Sequence, residues 1–437
     1  MRGMSDKLQL DEEINVNTIQ PTMLLQNDKA NTVLNLVYCV LLALFLVSLN
    51  GLQKFPVLFF VNKASAGLLI IISFIATGKF YVGRLLQVFA MFVAFSFFTG
   101  VFVAVDQTLL WDTTMKLVQL ILLLVCVSQF YIFKGNVKWL MIALLLNGLV
   151  MAFAGNFLSP DLMFSGKIER YSSISNNSNG LAFQLLLGLF GALYFYKDKG
   201  WLIKCLVIVA AGVFMYYIAI SGSRKSSAAF VLIILAWVFF SFKMKKMLQI
   251  SMGLFVIFLI GGSYMYTMLA DTAVVQRFSY LEDDQSAADI RTILYREAFD
   301  LFMANPFFGV GLANFQQHSV TGLYAHSNYV ELLADTGIIG FAIYYSIYLM
   351  VWINSNKLVN AFDGEETIVY LSGISKCIII LFLVIGAGAV QYDNIQHWIL
   401  LLFPIILYER ATLLEAEHNK IEAPEEPLLE EHENIPA

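Results

Sequence analysis

The sequence predicts an all-α polytopic membrane protein of about twelve transmembrane helices with one large extracytoplasmic loop that contains short helices. Three observations carry this expectation. Of 437 residues, 59% are hydrophobic and 14% charged, with a mean hydropathy of +0.72; a soluble domain carries about 25% charged residues. Apolar runs recur along the chain at the length of about 20 residues that crosses a bilayer. Late in the chain, residues 309–340, GVGLANFQQHSVTGLYAHSNYVELLADTGIIG, form a long polar stretch with histidines between greasy segments. A long segment of that kind inside an apolar chain is where chemistry is expected.

Taken in order, residues 1–31 are polar and form an N-terminal segment; some 30 polar residues ahead of the first apolar run are not a cleavable signal peptide. Spans one to nine fall within 32–269, at 32–49, 57–77, 85–105, 117–133, 138–157, 179–196, 201–220, 226–242 and 248–269. Asn62 and Lys63 interrupt the second. The large loop covers 270–335. Spans ten to twelve lie within 336–408, at 336–353, 368–390 and 395–408, and the last is short and begins beside His397. Residues 409–437 are an acidic, Pro-containing tail with the composition of disorder.

Orientation follows from Lys and Arg in alternating loops. With the N-terminus inside, the inner segments hold sixteen and the outer segments nine. Both termini are then expected in the cytoplasm, and loops 158–178, 221–225 and 270–335 face outward. An error in one span before residue 220 would invert this.

Within the large loop, DDQSAADIRTILYREAFDLFMANP places Ile290, Ile293, Leu294, Leu301 and Phe302 at a helical period. Ser286 and Asp289 have capping-box spacing, and Asn305-Pro306 stops the helix. Such a helix is expected along the outer membrane surface. A second short helix is expected from His326-Ser327-Asn328 toward Asp335-Thr336-Gly337, with Gly309, Gly311 and Gly322 marking turns.

Arg224, in SGSRKSSAAF, stands at the head of a span beside serines and a glycine. Arginine pairs in a bidentate way with phosphate oxygens and never loses its charge, and a helix N-terminus favours an anion. An interfacial anchor would occupy the same place. Arg291 lies on the polar side of the loop helix with Tyr295 one turn on, and Arg296 and Arg277 compete with it; a solvated helix face is the plain alternative. His326 opens a helix whose Asn328, Glu331 and Asp335 share a polar stripe. An imidazole there can take a proton from a sugar hydroxyl, unless it is an ordinary polar helix start. His318 is the second candidate base.

No cofactor and no metal is expected. Glu282-Asp283-Asp284 with Asp289 lacks the alternating ligand spacing of a calcium loop. Cys39, Cys126, Cys205 and Cys377 all fall in spans and form neither a metal motif nor a disulfide framework. Without a basic patch interleaved with aromatics, there is no nucleic-acid partner. Lys63 and Lys376 inside spans are a weak pointer to an ion path.

The block NPFFGVGLANF, a variable gap and AHSNYVELLADTGIIG together resemble the signature of the O-antigen ligase and Wzy-type polysaccharide polymerase superfamily. SGSRKSSAAF is similar to the family's serine-glycine-arginine turn, and ERYSSISNNSNGLAF to its approach to the sixth span. By motif the resemblance covers about 160–350, and by architecture the whole chain. It implies a GT-C-like fold and a metal-independent, inverting glycosyl transfer at the outer leaflet of the cytoplasmic membrane. The implied donor is a glycan on undecaprenyl pyrophosphate and the implied acceptor a glycan or lipid, within the lipid bilayer. A flippase and a chain-length regulator are the implied partners. By motif, Arg224 and Arg291 would bind the pyrophosphate and stabilise its departing charge, and His326 would orient or deprotonate the acceptor hydroxyl. Arg170, Asn179, Asn328, Tyr295 and Glu331 would bind substrate. One departure is Lys225, where the family has a glycine after the turn arginine.

Three readings follow. The favoured one is a polymerase of lipid-linked repeat units making O-antigen, capsule or exopolysaccharide. A ligase moving the finished glycan to lipid A core or protein is the second. A transporter of polysaccharide or lipid-linked oligosaccharide is the third, and it expects mid-membrane charges and an internal repeat.

Overall fold

The computed structural model describes residues 31–51, 55–158, 171–173, 175, 177–197, 200–253, 256 and 285–422. Among them every regular element is helical: α1 (Thr32–Gly51), α2 (Val57–Thr77), α3 (Arg84–Val103), α4 (Gln107–Phe133), α5 (Val137–Leu158), α6 (Ser178–Phe195), α7 (Trp201–Ile220), α8 (Arg224–Ser241), α9 (Gln285–Ala304), α10 (Phe315–His318), α11 (Asn328–Ala361), α12 (Glu366–Gly386) and α13 (Ile395–Glu422). Ten of these are long and apolar enough to cross a membrane, so the chain is a multi-pass all-α membrane protein.

Two of the twelve expected spans need comment. The ninth, 248–269, lies largely outside the described residues, as do Arg170, Arg277, the Glu282-Asp283-Asp284 run and the part of the expected 409–437 tail beyond 422. Residues 409–422 are not a disordered tail but continue α13, because Glu409 is buried and accepts from Arg84 N–H at 2.7 Å. The twelfth exists as the front of α13 but is not among the ten apolar helices. Its physical setting explains this. Trp398 through Phe403 and Ile405 through Leu407 are at most 2% exposed, so protein rather than lipid surrounds the helix. A protein-lined helix tolerates Gln396, His397 and the internal Pro404, because neighbouring helices offer polar partners, among them Asn50 Oδ1 accepting from Gln396 Nε2 at 2.8 Å. There His397 Nε2 and the Tyr348 hydroxyl share a 2.9 Å hydrogen bond, and the imidazole stacks on Phe382.

Helix α6 is the other centre of the bundle. It is buried nearly end to end because glycines let neighbours approach closely. A Cβ on Gly188 would stand 2.8 Å from the Cα of Gly148 on α5. The same pair of helices is joined by Asn147 Nδ2 donating to Gln184 Oε1 at 2.7 Å. Elsewhere α8 packs against α12, α11 against α3 and α12, and α4 against α13.

The loop helix α9 forms where its period predicts and ends at Ala304, before Asn305-Pro306. Its packing partner is one that its period does not indicate. Leu294 and Ala298 are fully buried against Phe315, Ala325 and Ala334, so the helix packs on the motif segment. Ile290 and Ile293 remain exposed. The second short helix starts at Asn328 as expected and runs into the following span with a break at Gly337, where φ is 61°.

A cavity at the meeting point of helix starts

The two motif blocks, which lie apart in sequence, lock together by backbone contact. Val310 N–H donates to Ala334 O at 2.9 Å, Gly311 N–H to Asp335 O at 2.8 Å, and Ile338 N–H to Pro306 O at 2.8 Å. Glycine is required at two points. Gly309 (φ 68°) lies where a Cβ would meet the Asp335 carbonyl carbon at 2.3 Å, and Gly337 (φ 61°) where it would meet that of Phe307 at 2.3 Å. Both lie in the left-handed region that only glycine adopts without strain. Gly337→Ala is therefore expected to separate the two blocks. A sharp rise in proteolytic cutting within 305–340, with the chain still in the membrane, is the measurement that checks this.

The polar stripe of the second short helix satisfies this irregular chain. Asp335, fully buried, accepts from Ala313 N–H and Phe315 N–H, both at 2.8 Å. Glu331, 4% exposed, accepts from Ala325 N–H at 2.7 Å. Buried backbone donors need such partners. Held this way, Ala313 (φ 61°) and His326 (φ 58°) take left-handed backbone, uncommon for residues with a side chain. Strain of that kind clusters at functional sites.

Both residues line one cavity of about 800 Å³, with Arg224, Lys225, Arg291, Asn179, Glu331 and Tyr324 on its wall. Four helices begin here. Helix α6 starts beside Asn177, whose side chain caps Gly180 N–H at 2.7 Å. Helix α8 starts at Arg224 itself, after a turn at Gly222 with φ 65°. Helix α11 starts just after His326, and α13 starts at Ile395 with Asn394 accepting from Gln396 N–H at 3.0 Å. Each start directs the positive end of a helix dipole toward the cavity, a setting for an anion.

Electrostatics distinguish His326 from an ordinary surface histidine. Its ring is half-buried and lies 4.0 Å from that of Tyr324. Burial first, and then the Arg291 and Lys225 charges, hold its imidazole below the usual histidine range, so it is neutral near pH 7.

Of the residues expected to act, Arg224, Arg291, His326, Asn179 and Glu331 reach the cavity. Tyr295 and Asn328 stand behind its wall. The Tyr295 hydroxyl donates to Ala387 O at 3.0 Å. Asn328, fully buried, donates to the Tyr345 hydroxyl and accepts from Gln391 N–H at 2.9 Å. Both hold the segment between α12 and α13. His318 is exposed on α10 and is not on the wall.

That segment was not singled out from sequence. Gly388 through Asn394 line the cavity, with Lys225 Nζ donating to Gly388 O at 2.7 Å. Thr113 and Lys116 on α4 line it as well. The run VQYDN, dense in polar groups between two spans, was the available signal. Among the described residues there is no cluster of three His, Cys, Asp or Glu able to hold a metal.

In comparisons with known proteins, residues 209–345 match the model of a family described as O-antigen ligase. That segment contains Arg224, Arg291 and His326, and it agrees with the resemblance seen in the motif blocks. No curated protein matches the chain.

Proposed function

With residues 209–345 an O-antigen ligase family segment, we propose that this multi-pass membrane protein is a glycosyltransferase that polymerises undecaprenyl-pyrophosphate-linked repeat units into a surface polysaccharide. The observation that carries the reading is the convergence of Arg224, Arg291 and His326 on one cavity at the starts of α8 and α11.

The acceptor hydroxyl attacks the anomeric carbon of the donor sugar on the face opposite the pyrophosphate. The bond from that carbon to the pyrophosphate oxygen breaks, with inversion and without a metal. His326, neutral and half-buried, takes the hydroxyl proton. Arg224 and Arg291, assisted by the helix starts, take up the negative charge that grows on the leaving pyrophosphate. Asn179 and Glu331 on the wall contact the glycan, and Arg170 belongs to the same motif approach.

Charge supports an outward-facing cavity in the cytoplasmic membrane, with both termini cytoplasmic. At the helix ends away from the cavity stand Lys79, Arg84, Lys134, Lys138, Lys204, Lys243, Lys245 and Lys246. Such basic loops stay on the cytoplasmic side.

The base role has a pH signature. A base works deprotonated, so the rate falls as pH drops through the His326 value, and the acid limb is expected below about pH 6.5. Lys225→Met removes one of the charges that lower that value, and its acid limb is expected at higher pH than wild type. Rate-against-pH profiles of the two proteins check the sign.

The function is tested by gel analysis of surface polysaccharide from a deletion strain. Single repeat units at the surface are the expected result. Long chains left on the lipid carrier would instead identify a ligase, and unchanged polysaccharide would contradict both.

A further inference from the structure

After α9 the chain turns at Asn305–Phe308, and this turn lies below the ends of the helices beside it. Pro306 O accepts from Ile338 N–H at 2.8 Å, and Gly337 abuts the Phe307 backbone. The turn is therefore level with the start of the apolar part of α11. That apolar run extends from Gly337 to Ile353, before Asn354, Ser355, Asn356 and Lys357. At about 1.5 Å per residue it spans about 25 Å, less than the roughly 30 Å of a hydrocarbon core. Hydrocarbon reaches the level of the turn.

Helix α3 gives the same depth independently. The Phe308 ring stands 6.3 Å from that of Phe95, and a Cβ on Gly340 would meet the Phe95 ring at 3.2 Å. Phe95 lies about 12 Å along the helix from Val103, the end of α3 nearer the cavity. Gly311, by contrast, lies against Ala104, just past that end. The chain thus dips beside α3 at Phe308 and climbs out again by Gly311.

What the dipping stretch exposes is apolar. Phe299, Met303, Phe307 and Phe308 are 49–61% exposed, and Ile338 and Ile339 beside the turn are exposed as well. This is a different face of α9 from the one holding Leu294, which is buried against the motif segment. Arg296 and Asp300, also exposed, supply the polar side of an interfacial helix. Large apolar groups gathered on one surface mark a contact with something apolar. At this depth that contact is hydrocarbon.

We infer that the C-terminal part of α9 and the Asn305–Phe308 turn form a wedge inserted into the cavity-side leaflet, with Phe299, Met303, Phe307 and Phe308 among phospholipid acyl chains. The inserted end ties to the bilayer the same helix that carries Arg291 on the cavity wall. The placement goes beyond the glycan-transfer reading and stands or falls without it.

The test places one fluorophore at a time on the full-length protein in nanodiscs of phosphatidylethanolamine and phosphatidylglycerol. Cys39, Cys126 and Cys377 are buried, so replacing the exposed Cys205 by Ala clears the background. The dye NBD is then attached to Met303→Cys, to Phe307→Cys or, as the solvent control, to Arg296→Cys. A nitroxide carried high on the acyl chain is expected to quench the dye at 303 and 307 about threefold more than at 296, and aqueous iodide to show the opposite order. Iodide quenching all three positions alike would put the face in water and overturn the inference. Dyes at 303 and 307 that neither quencher reaches would overturn it too, because a protein partner or a second copy would then cover the face.

Discussion

His326→Ala is expected to lower glycan transfer by about 10²–10⁴-fold, with the protein still inserted in the membrane at wild-type level. The expectation follows from where the residue sits rather than from its being a histidine. His318 is exposed and off the cavity wall, whereas His326 is half-buried on it beside Tyr324. Its left-handed backbone is fixed by Glu331 receiving the neighbouring Ala325 N–H. The imidazole itself supports none of these bonds, so its removal should spare the fold. His318→Ala is the matched control and is expected to retain transfer. Transfer assayed on membranes normalised for protein content decides the comparison; near-wild-type rates for His326→Ala would remove the base from the mechanism.

Arg291→Ala is expected to cost about 10²–10³-fold, chiefly in turnover, because it withdraws charge where the leaving group develops it. The side chain is exposed into the cavity, while Leu294 and Ala298, one and two turns further along α9, are the residues that dock the helix onto the motif segment. Substitution therefore leaves the packing face intact. Arg291→Lys should recover only part of the rate, since an ammonium keeps the charge but loses the planar fork that grips two phosphate oxygens. Separate kcat and KM values for the lipid-linked donor check this. A rise in KM with unchanged kcat would mean that Arg291 binds donor and transition state alike.

Much of the architecture was readable because lipid imposes a simple rule on sequence. Wherever a helix faces lipid, as α1, α7 and α8 do with their exposed Val, Leu and Ile, the run of apolar residues marks its ends to within a few positions. Helix α13 was expected at 395–408 from a shorter apolar run, since protein encloses it and enclosure permits Gln396, His397 and Pro404 in a buried helix. The packing partner of α9 was not legible for a related reason. Its period was clear, but Leu294 and Ala298 meet the folded motif segment, a partner no local pattern reveals.

For the cavity, residues carrying charge or a titratable ring stood out at once, and Arg224, Arg291 and His326 do share a wall. The stripe Asn328, Glu331 and Asp335 was equally visible, but its direction was not. A helical period says that the three share a face; it does not say that Asp335 and Asn328 spend their bonds on backbone N–H groups of Ala313, Phe315 and Gln391. Lys116 and Asp393 stayed hidden for another reason. They lie about 280 positions apart in sequence, one at a helix start counted only for its charge and the other in a short turn. They come together only in the fold, where both line one cavity.

The most direct test of the account is reconstitution of the purified chain in proteoliposomes with an undecaprenyl-pyrophosphate-linked repeat unit as sole substrate. Wild type should produce glycans longer than one repeat and release undecaprenyl pyrophosphate in step, without added metal, while His326→Ala and Arg291→Ala produce neither. Release and elongation at wild-type rates in both variants, or no elongation by wild type, would contradict it.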